Sequence, residues 1–159
     1  MFRTLVINIL ILVVFPSLLS CEMIPDPIVP DLPKEEPATM PATIMITVSG
    51  KSLPVKIEDN VATRDLVAAL RDASITFEAH DYGGFEKVGG LGRTLPSSDS
   101  QLTTQPGDVI LYSGNQIVLF YGSNSWSYTR IGKIQYGTLD ELKTFLQAGK
   151  GNISVTLSL

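Results

Sequence analysis

Six of the chain's ten prolines, at positions 25, 27, 30, 33, 37 and 41, fall in the stretch "EMIPDPIVPDLPKEEPATMPA". Each removes a backbone donor and fixes φ, so neither a helix nor a central strand can run through it. Acids at 22, 26, 31, 35 and 36 add charge, and the stretch lacks the large apolar clusters that would offset the entropy of ordering. Residues 21–42 are therefore expected to be an acidic tether, and any fold must be built from 43–159. At about 3.1 Å per residue in polyproline II, such a tether spans up to about 60 Å. The remainder of the chain, about 120 residues, has room for one domain with a single core.

Ahead of the tether stands "MFRTLVINILILVVFPSLLS", residues 1–20, in which Arg3 precedes a short apolar run. The run suits the hydrophobic region of a secretory signal better than a membrane span. Leu18-Leu19-Ser20-Cys21 resembles the bacterial lipobox, whose cysteine is acylated and becomes the new N-terminus. Cys21 is the chain's single cysteine, so an internal disulfide is excluded and lipidation gives it a task. The alternative is an ordinary signal peptide that happens to carry a cysteine near its cleavage region. On the lipoprotein reading the partner is membrane lipid, held through acylated Cys21 at about 0.8 kcal/mol per buried methylene, and the location is the bacterial cell envelope.

From Thr43 onward the hydrophobic period is two. Ile44, Ile46 and Val48 alternate in a strand over 43–48, Gly50-Lys51 turns the chain, and 52–58 returns as the second strand of a hairpin. Leu66, Val67 and Leu70 then recur at helical spacing, predicting a helix over about 62–72 with Asn60 or Thr63 as its N-cap. "ITFEAHDY" is a third strand. "DVILYSG" and "QIVLFYGS" are nearly continuous apolar runs, the pattern of strands covered on both faces. Residues 126–134 form another strand, Thr138 and Glu141 a capping box opening a helix that ends at Gly149, and "NISVTLSL" a closing strand.

Between these elements lies "GGFEKVGGLGRTLPSSDSQLTTQPGD", a glycine-crowded segment expected to be a long loop with at most one short strand. Its "GGLG" lacks the Lys-Ser/Thr of a phosphate-binding loop, so nucleotide binding is set aside. The formal charge of −4, one unit more negative without Arg3, and the absence of a basic run argue against nucleic acid as a partner.

Mostly antiparallel strands with two separated helices suggest a mainly β fold, a closed antiparallel barrel with two capping α-helices. The stretches "YGGFEKVGGLGRTLP" and "TTQPGDVILYSGNQIVLFYGSNSWSYTRIGKI", with the closing helix and strand, resemble the bacterial cyclophilin-like proteins over essentially all of 43–159. That resemblance implies the cyclophilin β-barrel. True cyclophilins are peptidyl-prolyl isomerases that need no cofactor and use an arginine beside apolar and aromatic side chains in an outer groove. Their Phe-x-Gly-x-Gln-rich stretch is not found here, so the catalytic arginine and glutamine are not carried over by motif.

Weakening amide resonance at an X-Pro bond needs a donor aimed at the prolyl nitrogen, and arginine is suited to that. Strand period places Trp126, Tyr128, Arg130, Gly132 and Ile134 on one face, so Arg130 stands with two aromatics. Arg130 is a candidate donor, or else a structural arginine pairing with an acid such as Glu86 or Asp108. Arg93, in the glycine-rich segment, is the second candidate donor, or else simply solvated. Phe85, Glu86, Trp126, Tyr128 and Arg130 form the candidate ligand-binding set for a peptide or small molecule, with Trp126 divided between core and groove wall.

His80, the sole histidine, is read as a strand-end surface residue. Neither a metal site nor a cofactor is expected, since alternation turns Glu78 and His80 away from Asp81. No serine lies in a G-x-S-x-G elbow. Two classes remain: a non-catalytic binding module, and a proline isomerase or folding helper.

Overall fold

The computed structural model describes residues 39–159; Cys21, the apolar leader and nearly all of the tether lie outside them. β1 (Thr43–Val48) and β2 (Lys51–Ile57) form the opening hairpin, with Ser49 and Gly50 in the left-handed region at its turn. α1 (Val61–Asp72) starts at Asn60, whose Oδ1 accepts from the Thr63 N–H at 3.0 Å. The Asn60 Nδ2 also donates to the Arg130 carbonyl at 2.7 Å, so the cap fastens the helix to a distant strand.

β3 (Ile75–Tyr82) comes next, and then β4 (Glu86–Gly90) and β5 (Ser100–Thr103), both within the segment expected to be loop. β4 is no accessory: it pairs with β3 on one side and β7 (Gln116–Phe120) on the other. Its glycines mislead because Gly89 serves packing. A Cβ there would sit 2.4 Å from the Glu78 carbonyl oxygen and 2.6 Å from Phe77 Cδ2. β6 (Asp108–Tyr112), β8 (Ser125–Ile134), α2 (Leu139–Phe145) and β9 (Ile153–Ser158) complete the chain. α2 has the capping box of Thr138 and Glu141, but it stops earlier than expected: its C-cap is Leu146 rather than Gly149.

The strands run β2-β1-β9-β3-β4-β7-β6-β8, and β8 pairs back onto β2, closing an eight-stranded antiparallel barrel with β5 added along β8. Closure leaves no long sheet edge. Ile46, Val109, Leu111, Ile117, Leu119, Val155 and Leu157 fill the interior, and both helices seal it with Leu66, Val67 and Leu70 of α1 and Leu142, Phe145 and Leu146 of α2. Fully burying each such side chain is worth about 1.5–3 kcal/mol, so the interior sets the barrel's register.

One register feature departs from strict alternation. Val109 opposes Gly132 but Ile110 opposes Arg130, a β-bulge that leaves Ile131 unmatched. Ile131 and Ile134 therefore face the interior, whereas Tyr128 packs outside with Ile110, Val118 and Phe120. Trp126, Tyr128 and Arg130 do not share a face with Gly132 and Ile134, as uniform alternation would require. Among the described residues no helix is long and apolar enough to cross a membrane.

Candidate functional site

β6 and β7 are apolar on both faces because the barrel wall is covered on both sides here. Outside it, Ile110, Val118, Phe120 and Tyr128 gather with Phe85, Val88 and Leu102 into a second apolar cluster. Its rings interlock: Phe85 stacks on Phe120 at 6.3 Å, and Tyr128 meets Phe120 and Tyr112 edge-on at 5.9 and 6.0 Å. The segment after β4 is pinned beside it. The Ser98 N–H donates to Thr129 Oγ1, Thr129 to Asp99, and Thr104 and Asn124 exchange bonds of 2.8–3.0 Å.

Next to this cluster the outer wall hollows into a cavity of about 480 Å³. Period two supplies its lining: His80 and Tyr82 from β3, Glu86, Val88 and Gly90 from β4, Gln116 and Val118 from β7, Tyr112 from β6, and Trp126 and Tyr128 from β8. Asn124 lines it too and donates from Nδ2 to the Tyr128 hydroxyl at 3.0 Å, fixing that ring. Of the six large apolar side chains left exposed among the described residues, Tyr82, Tyr112 and Trp126 all stand at this one cavity. Exposed aromatic rings gathered at one concavity are characteristic of binding sites.

At the cavity wall lies Glu86, only 5 % exposed, with Oε2 buried and without a hydrogen-bond partner. Burial among apolar groups disfavours its charged form and pushes its carboxyl up to about 7. A native domain rarely leaves a buried acceptor unmet.

The adjacent residue shows the contrast. Lys87, fully buried on the opposite face of β4, is met by Asp81 Oδ2 at 2.9 Å and by the Gly151 carbonyl. Asp81 also accepts from the Gly149 and Gly151 N–H groups and the Tyr121 hydroxyl. Burial alone would raise the Asp81 carboxyl, but the Lys87 ammonium and these donors outweigh it and hold it at about 2. The same burial, with Asp81 alongside, lifts the Tyr121 hydroxyl to about 12. This network ties the α2–β9 connection to the barrel and is structural.

Glu86, Trp126 and Tyr128 of the expected ligand-binding set meet at the cavity. Phe85 lies behind it, half-buried on Phe120. Arg130 is not in the lining: its Nη2 lies 3.3 Å from Asp108 Oδ2 and its Nη1 3.7 Å from Glu58 Oε1. Lys133 approaches the same Asp108 at 3.8 Å, and the Gln105 N–H donates to it. Arg93 is exposed on the segment after β4 and also lies outside the lining. Tyr82, Tyr112 and His80 join the site from outside the sequence-derived candidate set. The alternation of β3 carried the signal for Tyr82 and His80, but it points at a cavity only once β4 is known to lie alongside. Among the described residues no group of three or more His, Cys, Asp or Glu could hold a metal ion.

The model of the cyclophilin-like family matches residues 46–158, all of the barrel but the first half of β1. The chain belongs to the cyclophilin-like family. Among solved structures, this cyclophilin-like chain is similar to the hypothetical protein AF2241 from Archaeoglobus fulgidus, with 18 % identity and a TM-score of 0.51 over 75 % of this chain and 95 % of that one. It is also similar to McbB in complex with tryptophan, with 12 % identity and a TM-score of 0.51 over 72 % of this chain and 44 % of McbB. No curated protein matches it. At such identities the likeness concerns the barrel alone.

Proposed function

We propose that this cyclophilin-like domain is a non-catalytic binding module, held at the bacterial envelope by acylated Cys21, that takes a small molecule or a short peptide side chain into its outer cavity. The observation that carries the reading is the meeting of three exposed aromatic rings and a buried, unpartnered carboxyl at one concavity. McbB, whose barrel is similar, is in complex with tryptophan, which supports a small organic occupant without locating it.

The isomerase reading is less well supported. It needs a donor over the ring pocket, and the cavity lining contains no arginine. Arg130 pairs with Asp108 instead, its buried Nε without a hydrogen-bond partner.

Gly90 gives a test of the cavity. It lies on the outward face of β4 with Glu86 and Val88, its φ is not positive, and an added Cβ would meet nothing within 4 Å. Gly90→Val should therefore intrude on the cavity without disturbing the barrel. In an NMR titration with small molecules and short peptides, shifts should centre on Glu86, Trp126 and Tyr128 and saturate at higher ligand concentration in Gly90→Val. Shifts centred elsewhere, or an affinity unchanged by the substitution, would refute the site. For the anchor, Cys21→Ser should leave the membrane fraction or remain unprocessed. An unmodified Cys21 in membrane-bound protein, seen by mass spectrometry, would refute lipidation.

A further inference from the structure

We propose, building on the outer cavity as the binding site, that its ligand carries a protonated amine with at least one N–H, seated on Glu86 and walled by aromatic rings. The buried Oε2 of Glu86 accepts from nothing in the protein, so it awaits a donor. The chain withholds its own cations from it. Lys87 turns to the other face and is engaged by Asp81, and Arg130 is engaged by Asp108. A ligand N–H is the missing partner.

The surroundings select its charge. Tyr82, Tyr112, Trp126 and Tyr128 line the same cavity, and the faces of such rings carry negative potential that attracts an ammonium and opposes a carboxylate. Val88 and Val118 offer an apolar surface for the rest of the molecule. A quaternary ammonium would suit the rings but leave Oε2 unmet, which is why the amine must carry N–H.

An ammonium binds the ionised carboxylate, and the free domain holds Glu86 largely protonated below about pH 7. Binding in that range releases a proton, so affinity climbs about tenfold per pH unit on the acid side and levels off above the Glu86 midpoint. The other titratable groups facing the cavity are His80 and the hydroxyls of Tyr82, Tyr112 and Tyr128. A protonated His80 would repel a cation with the same sign of pH dependence, so it must be separated by substitution.

The experiment monitors Trp126, the only tryptophan, by fluorescence as the protein is titrated with phenethylamine, phenethyl alcohol and hydrocinnamate across pH 5.5–8.5. Phenethylamine should bind most tightly, more tightly as pH rises, and with proton release measured calorimetrically in two buffers. Glu86→Gln should weaken it about tenfold or more and flatten the pH profile, while His80→Gln should keep the slope. Equal or tighter binding of the alcohol or the acid, weakened in Gly90→Val, would overturn the amine assignment and leave the cavity intact as a site. A slope that vanishes with His80 would overturn the role of Glu86. Failure of all three probes to bind, or binding indifferent to Gly90→Val, would overturn both the amine and the cavity.

Discussion

Glu86 and Lys87 are consecutive residues of β4, both withdrawn from water, yet Lys87 Nζ has Asp81 Oδ2 at 2.9 Å and Glu86 Oε2 has no partner. Alternation sends one into the barrel wall's interior network and the other to the cavity. The two ionisable groups therefore act in opposite senses on the domain.

The Lys87 side stabilises. Asp81, held at about 2 against an ordinary value of 3.8, has a depressed folded pKa. Its contribution, about 2 kcal/mol, is present above pH 4 and is lost as pH falls from about 4 to 2. Asp81→Asn should remove that acid limb of the stability profile and, by leaving Lys87 buried without a counter-charge, cost about 3–5 kcal/mol at neutral pH. Denaturant unfolding at pH 7 and pH 3 checks this; an Asn variant as stable as the parent at pH 7 would show that the network is dispensable.

The Glu86 side destabilises the empty domain. Its folded pKa is raised from 4.5 to about 7, so the folded state holds a proton that the unfolded chain releases. Stability should fall as pH rises from about 4.5 to 7, by on the order of 3 kcal/mol, and stay low above it. Glu86→Gln should match the parent near pH 4.5 and exceed it at pH 8, as measured by thermal or denaturant unfolding. A parent whose stability is flat over that window would count against the buried, unpartnered carboxyl.

Adjacent glycines on β4 predict opposite outcomes. Gly89→Ala should destabilise by about 1–3 kcal/mol, because its Cβ would strike the Glu78 carbonyl and Phe77. Gly90→Ala should change stability little, since its Cβ would meet open space. Equal thermal midpoints for the two would contradict the packing of β4 against β3.

These glycines also mark what the sequence hid. Periodicity located β1, β2, β3, α1, β6, β8 and β9 within a residue or two, and β7 with three residues too many at its end, because each strand's apolar side faces one continuous interior. β4 escaped, since a strand chosen for close backbone approach at Gly89 and for a cavity at Gly90 has the composition of a loop. With β4 went the means of placing His80, Tyr82 and Glu86 side by side. The bulge at Ile131 was invisible for another reason: an extra residue in one strand shows only against its partner, and Ile110 gives no local sign of it. The aromatic character of β8 was legible, and so were Glu86, Trp126 and Tyr128 as candidates. Which of them lacks a partner depends on the three-dimensional surroundings of Oε2.

Arg130 separates the binding reading from the isomerase one. Its guanidinium lies beside Asp108, a carboxylate 1 % exposed whose other cation, Lys133, is 3.8 Å away. Arg130→Ala should therefore destabilise the barrel, by about 2 kcal/mol or more, through the charge left behind on Asp108. Ligand shifts at Glu86 and Trp126 should persist in the folded variant, because Arg130 does not line the cavity. Uncatalysed X-Pro interconversion takes tens to hundreds of seconds, so even weak catalysis is measurable. Parent, Arg130→Ala and Arg93→Ala should all leave a proline peptide at its uncatalysed rate. A parent that accelerates the interconversion, with Arg130→Ala folded but inert, would make Arg130 the donor and move the working site from the cavity to the Asp108 side of β8.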